Sequence, residues 1–426
     1  MKIFLDSIGC RLNQSEIEKF ASQFRAAGHT IVASAAEADY VVVNTCAVTS
    51  EAASDSRQKI RQASRVTGGD VIVTGCWSTL DAAGARGLPG VKRVVPNANK
   101  DRLVQDLLDL PEETFDLEPV VRSPLPGAHL RTRAFIKVQD GCDNHCTFCI
   151  TRIARGAGRS RSLAEVAQDV QSALDGGAQE IVLTGVHLGS WGQVFDRPAR
   201  LYDLVAALLA DSSLPRLRLS SLEPWDLDAD FFGLWSDARL CRHLHLPLQS
   251  GSEETLRRMA RKTTPDSFAR LLEAAREVSP RMAITTDIIA GFPGESEQAF
   301  LESLEFTRQM NFAAGHVFPY SARPGTAAAR MPNQVAKAVR KQRAAALREA
   351  VAETGRKYRE SFAGEVLDVL WESTDAYGPD GWKLHGLTDN YLRVTALSEQ
   401  RLWNQISRVR LAEVTEETAV GQIVGQ

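Results

Sequence analysis

The sequence lacks any apolar run long enough to cross a bilayer, and it lacks a secretory signal, because Met1–Leu5 leads directly into a strand-like segment. It also lacks an excess of basic residues, since 50 Lys and Arg stand against 53 Asp and Glu. A net charge of −3 disfavours nucleic-acid binding over the whole surface, although local basic patches remain open. We therefore expect a cytoplasmic protein with no membrane partner. Its seven cysteines should be metal ligands or core residues rather than disulfides.

Three of the cysteines form a CxxxCxxC segment, Cys142, Cys146 and Cys149, directly after the apolar run Ala134–Val138. Three thiolates with no obvious fourth predict a [4Fe–4S] cluster with one iron open to a chelating ligand, because thiolate sulfur is a soft ligand. Phe148, one residue before the last cysteine, completes the spacing of the radical S-adenosylmethionine (SAM) superfamily, which the segment resembles. The alternatives are a zinc site and three unrelated cysteines, but zinc usually takes four ligands in paired CxxC spacing.

A second set of cysteines lies in the N-terminal third, which predicts an open parallel α/β sheet. The predicted helix is Ser15–Ala27, and the predicted strands are the short segment Lys2–Ser7 and the valine-rich runs Tyr40–Asn44 and Asp70–Thr74. Cys10, Cys46 and Cys76 each fall just past one of these strands. Because the carboxyl ends of parallel strands meet at one edge of a sheet, the three thiols should converge and hold a second cluster. Three unrelated core cysteines are the alternative. Cys241 precedes a strand and is expected to be a core residue.

The middle of the chain predicts a partial barrel of six parallel strands alternating with helices. The strand-like runs are Ala134–Val138, Ile181–Thr184, Leu217–Ser220, His243–Leu246, Ile284–Ile289 and Gly315–Phe318. A capping box begins one helix at Ser162, and Thr264 with Pro265 begins another. Barrels of this kind place their chemistry in the loops after the strands. The CxxxCxxC segment follows the first strand, as that rule requires.

The loops after the later strands supply candidate SAM contacts. With Phe148, these are Gly185, Ser221, Glu223, Gln249, Ser250, Asp287 and Ile289. Glycine admits close backbone approach, and Glu223 could accept from a ribose or an amino group. The alternatives are plain: a turn glycine, a helix cap at Ser250 and a solvated charge at Glu223.

Basic residues concentrate in two places despite the negative net charge. One is Thr151–Arg161, directly after the cysteine segment. The other is the helix after the barrel, which carries Arg340, Lys341 and Arg343. Both suit phosphate contacts, and a solvated helix face is the alternative for the second. The remaining residues predict a small β domain with a turn at Gly378–Gly381. Such a barrel could bind RNA, although its acidic composition would require a local patch.

Taken in order, the three parts resemble the radical-SAM methylthiotransferase family. The resemblance predicts an α/β protein with a three-cysteine domain at 1–110, a linker at 111–132, a radical-SAM partial barrel at 133–335, a basic helical linker at 336–360 and a TRAM-like RNA-binding barrel at 361–426. Four motifs are similar to the branch that modifies N6-threonylcarbamoyladenosine in tRNA. They are Gly9–Gln14, Leu183–Ser190, Leu219–Pro224 and His316–Thr326. Thr151, where a second isoleucine is expected, departs from the pattern.

The resemblance implies two [4Fe–4S] clusters and SAM as cofactors. It implies radical-SAM activation of the adenine C2–H bond at position 37, next to the anticodon, followed by sulfur insertion at the auxiliary cluster and methyl transfer from SAM. The implied partners are the tRNA anticodon stem-loop, a flavodoxin- or ferredoxin-like electron donor and a sulfur donor. His187 and Ser190 after strand two, and Ser321 and Arg323 after strand six, are expected to contact the substrate. Arg323 is expected to pair with the threonyl carboxylate or to serve in a structural ion pair.

Three other functions remain open at the level of sequence. A sister enzyme would act on isopentenyladenosine in tRNA or on an aspartate of a ribosomal protein. A non-catalytic iron–sulfur protein that binds RNA is the alternative of another class, and a structural zinc protein is the last.

Overall fold

The computed structural model describes residues 1–111, 115, 132–378, 381–415 and 417–425. The linker expected at 111–132 therefore lies almost wholly outside the described residues. Within these ranges, no helix combines the length and apolar character that a membrane span requires.

The N-terminal domain is a five-stranded parallel sheet in the order β2-β1-β3-β4-β5. Its strands are β1 Lys2–Ser7, β2 Thr30–Ile31, β3 Tyr40–Thr45, β4 Asp70–Gly75 and β5 Val91–Val95, and its helices are α1 Arg11–Ala26, α2 Ser50–Val66, α3 Cys76–Leu80, α4 Ala82–Arg86 and α5 Leu103–Leu108. The three predicted strands form its centre. The edge strands were not predicted, because β2 has two residues and β5 carries exposed Lys92 and Arg93. Helix α1 begins at Arg11, four residues before the predicted start.

The central domain contains all six predicted parallel strands. They are β6 Arg133–Lys137, β9 Glu180–Thr184, β10 Leu217–Leu219, β11 His243–His245, β12 Ala283–Ala290 and β13 Ala314–Pro319, with a short hairpin of β7 Gln139–Asp140 and β8 Arg159–Ser160. Its helices are α6 Ile150–Arg155, α7 Leu163–Asp175, α8 Leu201–Leu209, α9 Ala229–Phe232, α10 Glu253–Arg258, α11 Pro265–Val278, α12 Glu297–Gln309 and α13 Lys337–Glu360. The sheets β6-β9-β10 and β11-β12-β13 meet through parallel bridges from Leu217 to Leu240 and from Ser221 to His245. The result is an open barrel with edges at β6 and β13.

Local sequence signals set the helix starts as expected. Ser162 forms a capping box with Glu165 at α7, and Thr264 caps α11 with Pro265 at its first position. Helix α13 occupies the interval predicted as a basic linker. It packs on the outside of β12 and β13, where Ala344, Leu347 and Val351 meet Ile288 and Val317. This helix is therefore the last helix of the barrel layer.

The C-terminal domain is a closed five-stranded barrel in the order β14-β15-β16-β18-β17. Its strands are β14 Val366–Gly378, β15 Gly381–Thr388, β16 Arg393–Ser398, β17 Ile406–Val414 and β18 Ala419–Gly425. Gly378 at the end of β14 pairs with Gly381 at the start of β15, and the two residues of the predicted turn between them lie outside the described residues. The loop after β15 docks on the central barrel. There Arg218 donates to the Thr388 and Asp389 carbonyls, and Arg242 pairs with the Asp389 carboxylate at 2.6 Å.

Candidate active site

All six cysteines of the two predicted sets line one cavity of about 850 Å³. The cavity extends from the carboxyl edge of the N-terminal sheet through the open central barrel to the C-terminal domain. All seven cysteines are free thiols, and Cys241 is buried in the central barrel beside Glu180. The expected convergence of distant cysteines is thus present, and the two sets face the same space.

Strand ends and helix starts position the N-terminal set. Cys10 caps α1, Cys46 follows β3, and Cys76 is the first residue of α3. Gly9 has φ 108°, and a side chain there would lie 2.7 Å from the Cys46 sulfur, so this turn requires glycine. Burial raises the pKa of Cys46 to about 11. The buried Asn97 amide donates to the Cys76 sulfur at 3.6 Å, a contact of the kind that orients a ligating side chain.

The second set is held by the segment between β7 and α6. The Asn144 backbone N–H donates to the Cys142 sulfur at 3.4 Å, and the Cys149 N–H donates to the Cys146 carbonyl at 3.1 Å. The Arg261 guanidinium lies 3.7 Å from the Cys146 sulfur. Donors aimed at sulfur stabilise thiolate ligands, so this set fits an iron–sulfur cluster with three cysteine ligands.

The described thiols do not form a ready-made site for a single metal ion. In the described part of the chain, no three His, Cys, Asp or Glu side chains come close enough to hold one metal ion. A [4Fe–4S] cube spreads its ligands over separate irons, so its cysteines stand further apart than those around one zinc. Each set supplies three soft donors beside open cavity space.

Most of the predicted SAM contacts face this cavity, and two do not. Those on its wall are Phe148, Gly185, Ser221, Glu223, Gln249 and Asp287. Ser250 is buried beyond the wall, where its hydroxyl accepts from the Ser252 N–H at 3.2 Å. Ile289 packs beside Phe292 and Tyr320 instead.

Glu223 is already paired with an arginine that sequence reasoning missed. Both Glu223 oxygens accept from the Arg261 guanidinium, at 3.1 and 2.5 Å, and the same guanidinium donates to the Pro247 carbonyl at 2.8 Å. The Trp225 ring lies 4.5 Å from it. Arg261 comes 38 residues after its partner, and no local motif distinguishes it from Arg257 or Arg258. This ion pair places both charges on the wall beside Cys146.

His187 and Ser190 lie behind the wall and not on it. Burial of His187 disfavours its charged form. Hydrogen bonds to Asp226, at 2.8 Å, and to Cys142 outweigh this effect of burial and raise the pKa of His187 to about 10. The Asn144 amide contacts the other ring nitrogen at 3.3 Å. Ser190 donates to the His187 carbonyl. Both residues thereby support the Cys142 segment.

The residues expected to contact substrate or RNA near β13 and α13 also have protein partners. The Arg323 guanidinium donates to the Ala47 carbonyl at 2.6 Å and to the Ser50 hydroxyl at 3.1 Å, and the Ser321 hydroxyl also bonds to Ser50. Arg323 therefore fastens the end of β13 to the Cys46 loop, and it does not line the cavity.

The three basic residues of α13 differ in exposure. Arg343 is buried and bonds Glu295 and Glu297, each at 2.8 Å, so it does not present its charge to a ligand as expected. The half-buried Arg340 donates to the Tyr320 carbonyl. Lys341 is exposed.

A buried charged network connects the two cysteine sets. The Arg155 guanidinium, on α6 after Cys149, donates to Glu16 at 2.9 Å and to Asn13 at 2.8 Å on α1. Lys100 also pairs with Glu16 at 2.7 Å. Although burial favours the neutral acid, these cations hold the pKa of Glu16 well below its usual range. Because Asn13 also contacts Cys10, the network sets the position of one cysteine set relative to the other.

Comparison with known proteins identifies the class of enzyme. Residues 136–307 match the Radical SAM superfamily, and residues 2–95 match the Uncharacterized protein family UPF0004. A radical-SAM methyltransferase, TsrM from Kitasatospora setae, shares the fold, with TM-score 0.58 and 16% identity over 77% of each chain. With the open barrel and the CxxxCxxC segment, these matches define a radical-SAM enzyme that carries a second three-cysteine domain.

Full-length relatives define the family. The chain is 34% identical to threonylcarbamoyladenosine tRNA methylthiotransferase MtaB of Bacillus subtilis, over 98% of this chain and 95% of that protein. It is 35% identical to MtaB of Thermotoga maritima, over 86% of each chain. It is 31% identical to tRNA-2-methylthio-N(6)-dimethylallyladenosine synthase of Caldicellulosiruptor saccharolyticus, over 98% of this chain and 91% of that protein. The chain belongs to the radical-SAM methylthiotransferase family, whose cofactors are [4Fe–4S] clusters and SAM.

Proposed function

We propose that this enzyme converts N6-threonylcarbamoyladenosine, at position 37 of tRNA, to its 2-methylthio derivative. The observation that carries the proposal is that both cysteine sets line one cavity. Hydrogen removal and sulfur insertion must occur at the same adenine carbon, so both clusters have to face one bound base. When bound, the clusters and SAM supply the hydrogen abstraction at adenine C2 and the sulfur and methyl groups added there.

The residues of this chain hold and orient these groups. Cys142, Cys146 and Cys149 would hold the cluster that binds SAM, and the other three cysteines would hold the auxiliary cluster. The Arg261–Glu223 pair offers opposite charges beside Cys146 for the polar end of SAM. Burial of Arg155 and Glu16 between the two sets keeps their separation fixed, because an ion pair in a dry interior tolerates little movement.

The relatives favour the threonylcarbamoyl branch. The MtaB proteins are 32–35% identical to this chain, whereas the dimethylallyladenosine synthases are 28–31% identical. The branches differ in the group on N6, which is polar and anionic in one and apolar in the other. Arg11 and Arg393 line the cavity and offer charge for a carboxylate, the role first expected of Arg323. A site built for polar groups rejects an analogue that lacks them.

The remaining partners also belong to this proposal. An anticodon stem-loop would enter between the domains, and a flavodoxin- or ferredoxin-like protein would supply electrons. A sulfur donor would reload the auxiliary cluster, and the reaction would take place in the cytoplasm. RNA binding by the acidic C-terminal barrel would depend on the few cations near the cavity.

The proposal is tested with reconstituted enzyme, SAM, a reductant and purified tRNA that carries either threonylcarbamoyladenosine or isopentenyladenosine. Nucleoside mass spectrometry should detect the 2-methylthio product of the first tRNA and little of the second. Faster modification of isopentenyladenosine would overturn the branch assignment. Modification of a ribosomal-protein aspartate alone would overturn the RNA substrate.

A further inference from the structure

The inner face of the last barrel strand carries an exposed aromatic pair that the site described above does not use. On β13, Ala314, His316 and Phe318 line the cavity, whereas Val317 points outward and packs under α13. Side chains two residues apart on a strand share a face. The His316 and Phe318 rings accordingly lie side by side, with their centroids 6.2 Å apart.

Phe318 stands out by its exposure. Among the large apolar side chains that are exposed in the described ranges, it is the only aromatic one, with 41% of its surface accessible. An exposed aromatic ring inside a cavity indicates a ligand contact, because burial of its apolar face would otherwise stabilise the fold. The strand is also the edge of the sheet β11-β12-β13, so a ligand can approach the pair from the open side of the barrel.

The charges around the pair indicate which ligand it fits. Arg11 of the N-terminal domain and Arg393 of the C-terminal domain line the same cavity, and the Asp287 carboxylate lies on the neighbouring strand opposite His316. Flat rings that stack a base, with arginines nearby for the anionic groups of the nucleotide, are a usual means by which proteins bind unstacked nucleotides. Asp287 adds an acceptor for the amino edge of a base.

We propose that His316 and Phe318 form a stacking platform for the target adenine of the RNA substrate after it leaves the anticodon-loop stack. The RNA identity rests on the function proposed above. An adenine ring is also part of SAM, so the test separates the two sources. The platform holds the base against the inner face of β13, between the SAM-binding cysteines and the auxiliary set.

The experiment uses the reconstituted full-length enzyme and an anticodon stem-loop RNA with 2-aminopurine at the target position. The fluorescence of this adenine analogue falls when it stacks on a ring. Because the base is already stacked in the free loop, the bound complexes are compared with each other: the probe should be more strongly quenched in the parent complex than in the complex of a variant without the rings. The double variant Phe318→Leu with His316→Leu keeps side chains of similar size but loses the flat rings. It should lose most of the quenching and bind the RNA about tenfold or more weakly. The single variant Phe318→Trp keeps a flat ring at this position and should quench the emission as the parent does.

A control variant and a measurement of SAM binding distinguish the RNA base from the adenine of SAM. Leu301→Ala changes another exposed apolar side chain, on the outside of α12, and should behave as the parent. If the double variant weakens SAM binding as much as RNA binding, the rings hold the adenine of SAM and the RNA platform is wrong. Equal quenching by parent and double variant would also overturn it. A parent that quenches the probe but modifies no tRNA would overturn the proposed function and leave the platform standing.

Discussion

The Tyr391 hydroxyl accepts a hydrogen bond of 2.7 Å from the Arg11 guanidinium, across 380 residues of sequence. Arg11 directly follows Cys10 of the N-terminal set, and Tyr391 lies in the loop between β15 and β16 of the C-terminal barrel. The Tyr391 ring also stacks on His243 of β11, with centroids 4.1 Å apart and planes within 6°. One side chain therefore joins all three domains at the wall of the cavity.

Replacing Tyr391 with Phe should loosen the Cys10 loop without disturbing the stacked ring. The loss of one hydrogen bond should lower the free energy of unfolding by about 1 kcal/mol, measured in urea. Hydrogen–deuterium exchange should become faster at Arg11 and its neighbours. Tyr40→Phe, on β3, is the matched control. Unchanged exchange near Arg11 in the Tyr391 variant would show that the bond does not hold this loop.

Each cysteine set should account for half of the bound iron. Anaerobically reconstituted enzyme should contain about eight irons per chain. Replacing Cys142, Cys146 and Cys149 with Ala should halve the iron and abolish SAM cleavage. Replacing Cys10, Cys46 and Cys76 should halve the iron and leave some SAM cleavage. Zinc in the parent, or full iron content in either variant, would contradict the two-cluster assignment.

Replacement of Arg343 should lower the stability of the fold, whereas replacement of Lys341 should weaken tRNA binding. Arg343→Gln leaves buried Glu295 without its cation and should lower the free energy of unfolding by about 3–5 kcal/mol, with a matching fall in melting temperature. Lys341→Gln, two residues away on the exposed face, should leave the melting temperature unchanged. It should weaken tRNA binding and reduce its salt dependence. The reverse pattern would mean that Arg343 contacts RNA.

Glu180 should make stability depend on acid pH. It is fully buried, yet Arg218, at 2.7 Å, with Arg216 and Arg133 outweighs the effect of burial and lowers the pKa of Glu180 to about 2. An unfolded glutamate ionises at about pH 4.3, so the pair stabilises the fold above that pH and loses its effect as the pH falls towards 2. Glu180→Gln should therefore unfold more easily than the parent at pH 7. In thermal unfolding of the cluster-free chain, that difference should shrink below pH 4, roughly. A difference independent of pH would exclude this carboxylate as its source.

The sequence predicts the features that depend on neighbouring residues. Cys10, Cys46 and Cys76 each follow the end of an apolar strand, and such strands and their ends can be recognised in short segments of sequence. The buried pair of Arg155 and Glu16 was not predicted, because the partners lie 139 residues apart and nothing local marks either as buried. For Arg343, a signal existed. Arg343 lies beside Ala344 and on the same helix face as Leu347 and Ala350, and this apolar pattern indicates the buried side of α13. Reading that helix as a basic surface overlooked its apolar face.

The position of Tyr391 and Arg393 on the cavity wall has a consequence for biosynthesis. A ribosome makes both sets of cysteines before it reaches the loop that completes this wall. A growing chain thus exposes its thiols on a side that the finished protein covers. We therefore expect iron–sulfur carriers to reach both sets most easily during that interval, before the C-terminal barrel folds and adds its part of the cavity wall.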